Sequence, residues 1–149
     1  MKKLMMLFLG VALFSCETSV ETTSGQAGLD PQVAEDVLNQ YVWACNDSKE
    51  PEEWVENQTL LTDDFKRDYK KMMEEAWKND PELGLGFDPI FNAQDYSEKG
   101  YELSSFDSKT GLVVLQGVDY PDYKVKLLVK LVGNKCLVDG AGVIRMSDK

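Results

Sequence analysis

At Gly100 the hydrophobic period of the chain changes. Upstream, apolar residues fall at helical spacing: Val33, Val37, Leu38, Tyr41, Val42 and Cys45 in one run, Phe65, Tyr69, Met72, Met73, Ala76 and Trp77 in another. The second run carries Lys66, Arg67, Lys70, Lys71, Glu74 and Glu75 on its other side. Downstream the period is two: Val125, Leu127, Val129 and Leu131 alternate with Lys124, Lys126 and Lys130, with Leu128 breaking the polar face. Helices first and short-turned strands afterwards predict an α+β fold, with N-terminal helices packed on one face of a curved antiparallel sheet meander.

Local signals set the boundaries. Asp30-Pro31 supplies an N-cap and a first helical residue. Asn46-Asp47-Ser48 ends that helix, and Glu50 to Gln58, with Pro51 and Trp54, reads as a short helical turn. Thr62 caps the second long helix, Asp63 and Asp64 suit its positive N-terminus, and Asn79-Asp80-Pro81 stops it. Strands are expected at Tyr101–Phe106, Leu112–Val118, Tyr123–Val132 and from Lys135 to about Ile144. Gly133-Asn134 is a two-residue hairpin of the type that begins with glycine. Its register sets Leu131 opposite Cys136, Val129 opposite Val138 and Leu127 opposite Gly140. Gly140 and Gly142 then fall on the core face and Asp139 on the other.

The 149 residues are enough for one domain, and 43% hydrophobic with 28% charged residues is a folded composition. Histidine is absent, which removes every mechanism that needs imidazole as base, ligand or pH switch. With a net charge of −10 and only two arginines, the chain is a poor partner for nucleic acid. No glycine-rich phosphate loop is present, and neither a cofactor nor a metal site is expected.

The N-terminus is distinctive. Lys2 and Lys3 precede an apolar stretch from Leu4 to Phe14, of signal-peptide length and too short to span a bilayer. Leu13-Phe14-Ser15-Cys16 follows and resembles a bacterial lipobox, with Phe14 bulkier than the usual residue at its place. The resemblance implies a signal peptide over residues 1–15, cleavage before Cys16, and acylation of the Cys16 thiol. Two or three acyl chains, each methylene worth about 0.8 kcal/mol, make a stable membrane anchor. Residues 16–29 would be the lipidated cysteine and a polar, flexible tether, and 30–149 the folded domain. Cleavage removes Lys2 and Lys3 and takes the net charge to −12. The protein would then lie in the bacterial cell envelope, facing the periplasm or the cell surface.

Cys45 and Cys136 remain once Cys16 is acylated. Both are expected to point inward, as one disulfide in an oxidising compartment or as two separate buried thiols.

Residues 79–97 form a long loop that still carries Leu83, Leu85, Phe87, Ile90 and Phe91, so it is expected to pack over the core. Within it, Asp88-Pro89-Ile90-Phe91-Asn92-Ala93-Gln94-Asp95 resembles a segment of an uncharacterised family of bacterial envelope domains, which carry Asp-Pro-x-x-x-Ala-Gln-Asp between helices and a sheet. The order of elements also resembles the cone fold of nuclear transport factor 2 and ketosteroid isomerase, and the related cystatin-like cone. The resemblance covers about residues 30–146 and implies a fold and an envelope location, not an activity. By their chemistry, Asp88, Asn92, Gln94 and Asp95 structure the loop or face a ligand. They lack the close alternation of a calcium loop.

Of the tryptophans, Trp77 is expected in the core, Trp43 partly exposed, and Trp54 at the mouth of a pocket. The expected function is a non-catalytic binding module for a small ligand or a protein partner. The alternatives are a ketosteroid-isomerase-like enzyme with a buried Asp base, for which Asp139 is the candidate, and a toxin-neutralising partner that uses the acidic run from Asp47 to Glu56. A flat acidic surface with exposed aromatics would favour the last.

Overall fold

The computed structural model describes residues 28–146. Cys16, the leader and most of the tether lie outside the described residues, as do residues 147–149. Three helices precede four strands: α1 (Pro31–Asn46), α2 (Pro51–Asn57), α3 (Asp63–Asn79), β1 (Tyr101–Asp107), β2 (Leu112–Gly117), β3 (Lys124–Val132) and β4 (Lys135–Ala141). The strands form one antiparallel sheet in the order β1-β2-β3-β4, so the α+β class read from the periodicity is the fold observed. Among the described residues, no helix is long and apolar enough to cross a membrane.

The caps work as their chemistry dictates. Asp30 accepts the backbone N–H of Gln32 at 2.9 Å, with Pro31 opening α1. Thr62 accepts the N–H of Phe65 at 3.1 Å and opens α3. Each such cap is worth about 1 kcal/mol. Helix α1 lies against the sheet and buries Ala34, Val37, Leu38, Tyr41, Val42 and Ala44. Helix α3 buries only Phe65 and Tyr69, with Met72 and Met73 partly covered. Its C-terminal half projects from the core. Trp77, expected inside, is 47% exposed and its indole lies against Gly84 of the following loop. The stripe continues past the sheet it was meant to cover.

Between helices and sheet the interior is filled by Leu38, Tyr41, Phe65, Leu115, Leu127 and Val129, among others. The loop after α3 divides in two. Leu83 is exposed, whereas Ile90 and Phe91 are buried in the core cluster.

The hairpin at Gly133-Asn134 has the expected register as far as Val129 opposite Val138. There the strand bulges. Leu128 pairs with Gly140 and Leu127 with Ala141, leaving Asp139 as the extra residue. The expected inner-face position of Gly140 is therefore corrected, and Ala141 takes the core place. Gly142 lies past the strand at φ +58, where a Cβ would run into the Pro89 carbonyl oxygen. Val143 donates to that same carbonyl at 3.0 Å.

The outer side of β4 is covered by the segment just before α3. Thr62 N–H donates to the Val138 carbonyl at 3.0 Å and Val138 N–H to the Leu60 carbonyl at 2.9 Å, a parallel bridge. At the other edge β1 carries a bulge at Ser104.

Cys45 and Cys136 are separate thiols. Cys136 sits at the start of α1, where its Sγ accepts the Asp30 N–H at 3.3 Å. Cys45 is in the last turn of the same helix. Fifteen residues at 1.5 Å each put them roughly 22 Å apart along the axis. A disulfide needs Cα atoms within about 7 Å, so the bridge raised as one alternative is not made in this fold. Both residues faced the core as expected, but at opposite ends of it.

A candidate cation-binding cleft

One half-buried aspartate, one buried aspartate and one open cleft carry the polar chemistry. The first aspartate is Asp88. Its Oδ1 accepts the N–H groups of Ile90 at 2.8 Å and Phe91 at 3.0 Å, and its backbone pairs with Ala93. Its Oδ2 accepts the Tyr41 hydroxyl at 2.5 Å. Pro89 and the left-handed Asn92 (φ +58) complete the turn. Burial pushes the Asp88 carboxyl above its usual range, against the opposing hydrogen bonds from Tyr41, Phe91 and Ile90. Burial likewise raises the Tyr41 phenol, reinforced by the Asp88 charge. Cys45, nearby, is pushed up to about 11 by burial and then by Asp88, which makes it a poor nucleophile. With both Asp88 oxygens engaged by the chain's own donors, the residue structures the loop.

The second is Asp139, 6% exposed. The Thr62 hydroxyl donates to its Oδ1 at 2.6 Å and Lys130 Nζ lies 2.8 Å from the same oxygen. Arg145 Nη2 donates to Oδ2 at 3.2 Å and Nη1 to Asp68 at 2.6 Å. Burial alone would raise the Asp139 carboxyl. Hydrogen bonds from Lys130, Thr62 and Arg145 outweigh it and hold the group below its usual range. Asp139 does lie on the Lys130 side of the sheet, as expected. It is closed into an ion network and has no apolar pocket in which to act as a base.

An aromatic chain leads from Asp88 to the cleft. Trp54 packs on Tyr41 at 4.9 Å, Tyr41 on Phe91 at 5.1 Å, and Phe91 stacks on Tyr96 at 4.8 Å with 11° between the rings. Trp54 is thus a packing partner of Tyr41, and it lines neither of the two clefts described below. Tyr123 donates to the carbonyl of Asp95 at 3.0 Å and reaches that of Phe91 at 3.3 Å. The Asp88 turn, by fixing Phe91, sets the surface on which Tyr96 and Tyr123 rest.

The cleft itself has a volume of about 780 Å³. One wall is Asp95, Tyr96 and Glu98, on the approach to β1; the other is Asp119, Tyr120, Asp122 and Tyr123, on the turn between β2 and β3. That turn is closed by Tyr123 N–H donating to the Tyr120 carbonyl at 2.9 Å, with Pro121 fixing its first bend. The buried Ser97 hydroxyl donates to Asp119, and this bond holds the Asp119 carboxyl below its usual range. Burial raises the Tyr96 phenol, with Cys45 and Glu98 adding, and raises that of Tyr123, with Asp88 and Asp95 adding. Those two phenols, Tyr96 and Tyr123, therefore stay neutral. Among the described residues none of the four carboxylates is in an ion pair. The Lys99 charge acts on Asp119 from an exposed position.

Of the residues singled out in the loop, the structure brings only Asp95 to this cleft. Asn92 is exposed at the tip of the Asp88 turn, and Gln94 donates to the Gly86 carbonyl at 3.1 Å. Sequence reasoning missed Asp119, Tyr120, Asp122 and Tyr123 as a site; in the sequence they only mark the gap between the expected strands Leu112–Val118 and Tyr123–Val132 and the start of the latter. A second cleft of about 600 Å³ lies by Leu29, Val33, Leu60 and Cys136. Among the described residues, no group of three or more acidic or thiol side chains is placed to hold a metal ion. Compared with known proteins, the chain matches no family model, no curated protein and no solved structure.

Proposed function

We propose that this chain is a non-catalytic binding module, anchored in the bacterial envelope through acylated Cys16, whose cleft between Tyr96 and Tyr120 takes a positively charged group. The observation that carries the reading is four carboxylates that, among the described residues, have no ion-pair partner and stand beside three tyrosines. An ammonium or guanidinium gains from both: the π-faces attract it, and the carboxylates neutralise it. An anion or an apolar ligand would leave the carboxylates unanswered. The lipobox resemblance supports the location, because it explains the leader, the Cys16 position and the polar tether together.

The individual terms are small. A cation–π contact at an exposed site contributes about 0.5–1 kcal/mol, and exposed ion pairs about as much. A free amine should therefore bind with a Kd on the order of 1 mM, equivalent to about −4 kcal/mol. Titration of the full chain with Nα-acetyl-arginine amide, read by NMR shifts of the tyrosine rings, tests this. Saturable shifts at Tyr96, Tyr120 and Tyr123, weakened by Tyr120→Ala and by Asp122→Asn, are expected. No shift at these rings defeats the reading. The anchor is tested separately by mass spectrometry of membrane-extracted protein: a chain beginning at an acylated Cys16 is expected, and an intact Met1 overturns it.

A further inference from the structure

Beside the cleft, and outside it, stands Trp43. It lies on α1 at i+4 from Asn39 and three residues before Asn46, so these three share one side of the helix. Both asparagines hold that side against the approach to β1. Asn39 Nδ2 donates to the Tyr101 carbonyl at 2.9 Å and its Oδ1 accepts the Tyr101 N–H at 2.8 Å. Asn46 Nδ2 donates to the Glu98 carbonyl at 3.1 Å and its Oδ1 accepts the Tyr96 hydroxyl at 3.0 Å. Trp43, between two residues clamped to this segment, is nonetheless 66% exposed. Tyr120, across the cleft, is 63% exposed. The end of α1 adds Asp47, one helical turn from Trp43 and only loosely paired with Lys49 at 3.9 Å.

We infer that the occupant of this face is a protein, one that inserts a lysine or arginine into the cleft and lays an apolar contact on Trp43. The inference rests on the proposed cation-binding reading and names its ligand class. A small amine needs only the cleft and leaves Trp43 idle. A partner surface spans both. Large aromatics beside a charged pocket are the residues that carry most of the energy at such interfaces. The carboxylates complement a basic surface and speed its encounter.

The inference is tested on the full chain with two probes: Nα-acetyl-arginine amide, and a short peptide that alternates arginine with leucine. Three variants of exposed positions are compared. Tyr120→Ala with Asp122→Asn alters the cleft. Trp43→Ala alters only the neighbouring surface. Glu74→Gln with Glu75→Gln removes charge from α3, which packs on β4 and α2 and not on β1. The peptide should bind more tightly than the amide. Trp43→Ala should weaken the peptide roughly tenfold or more and leave the amide unchanged, while the cleft variant weakens both. If Trp43→Ala leaves the peptide unaffected while the cleft variant still weakens both probes, the protein-partner inference fails and the cleft reading stands. If the cleft variant does not affect the amide, or the α3 variant weakens both probes equally, binding is diffuse attraction to an acidic chain and both readings fail.

Discussion

Asp88 and Asp139 are two carboxylates withdrawn from water by the same small domain, and they are stabilised in opposite ways. Asp139 is met by a lysine, an arginine and a threonine hydroxyl, which more than offset its burial. Asp88 is met by a tyrosine hydroxyl and two backbone N–H groups, none of them charged, which do not. The difference is one of purpose in the fold. The Asp139 network ties β3, β4, α3 and the C-terminal residues together by charge. The Asp88 turn sits among aromatic rings and shapes the loop that feeds the cleft. A carboxylate in an ion network is sensitive to loss of charge; one that caps a turn is sensitive to loss of its acceptor oxygens.

The largest expected effect breaks both regions at once. Gly142 follows Asp139 by three residues and touches the carbonyl next to Asp88, so Gly142→Ala meets both a steric clash and a left-handed backbone. A loss of about 3 kcal/mol is expected in urea unfolding, with the aromatic near-UV signal altered. Next is Asp139→Ala, which takes the close partner from Lys130 and one of two partners from Arg145, still held by Asp68. Because the Lys130 side chain is 38% exposed and can be partly solvated, the cost should fall at about 2–3 kcal/mol, below that of a fully buried broken pair. Asp88→Ala should lose about 1–2 kcal/mol by leaving two N–H groups and the Tyr41 hydroxyl unsatisfied. Asp88→Asn, which keeps an acceptor and removes the charge, should change stability by less than about 1 kcal/mol. A cost for Asp88→Asn equal to that of Asp88→Ala would mean that charge, not acceptor geometry, holds the turn.

The finest distinction is in pH. Asp139 has its folded value lowered, so the stability it gives is complete above the ordinary carboxylate range and is lost as pH falls through that lowered value. Asp88 has its folded value raised. Its favourable contribution is complete below the ordinary carboxylate pKa and is lost as pH rises through the raised value. In stability measured against pH, Asp139→Asn should flatten the acid decline. Asp88→Asn should steepen it just above the ordinary carboxylate range, because the opposing trend has gone. Equal slopes in the two variants would erase the contrast.

Much of the fold was legible because its signals are local. Asp30, Thr62, Pro31 and the Gly133-Asn134 turn act within a few residues, and period separates helix from strand. What was not legible depends on distance in space. A period of two cannot announce an extra residue, so the bulge at Asp139 shifted Gly140 and Ala141 by one place. Cys45 and Cys136 both faced inward as read, but the direction of α1 across the sheet decides which end each occupies. Trp77 follows the apolar stripe of α3 beyond the reach of the sheet. The cleft was the least legible part, since its walls come from two segments that meet only because β1 and β2 pair. Asp88 and Asp95 were visible as unusual residues; that one shapes the turn and the other lines the cleft required the fold.

The covered side of β4 has a last consequence. The Leu60–Thr62 segment is bridged to Val138 at the middle of that strand, so among the described residues the edge of β1 is the more open one. A second copy pairing there edge to edge would bury the open edges of both sheets, so strand-to-strand association favours a closed pair over a fibre.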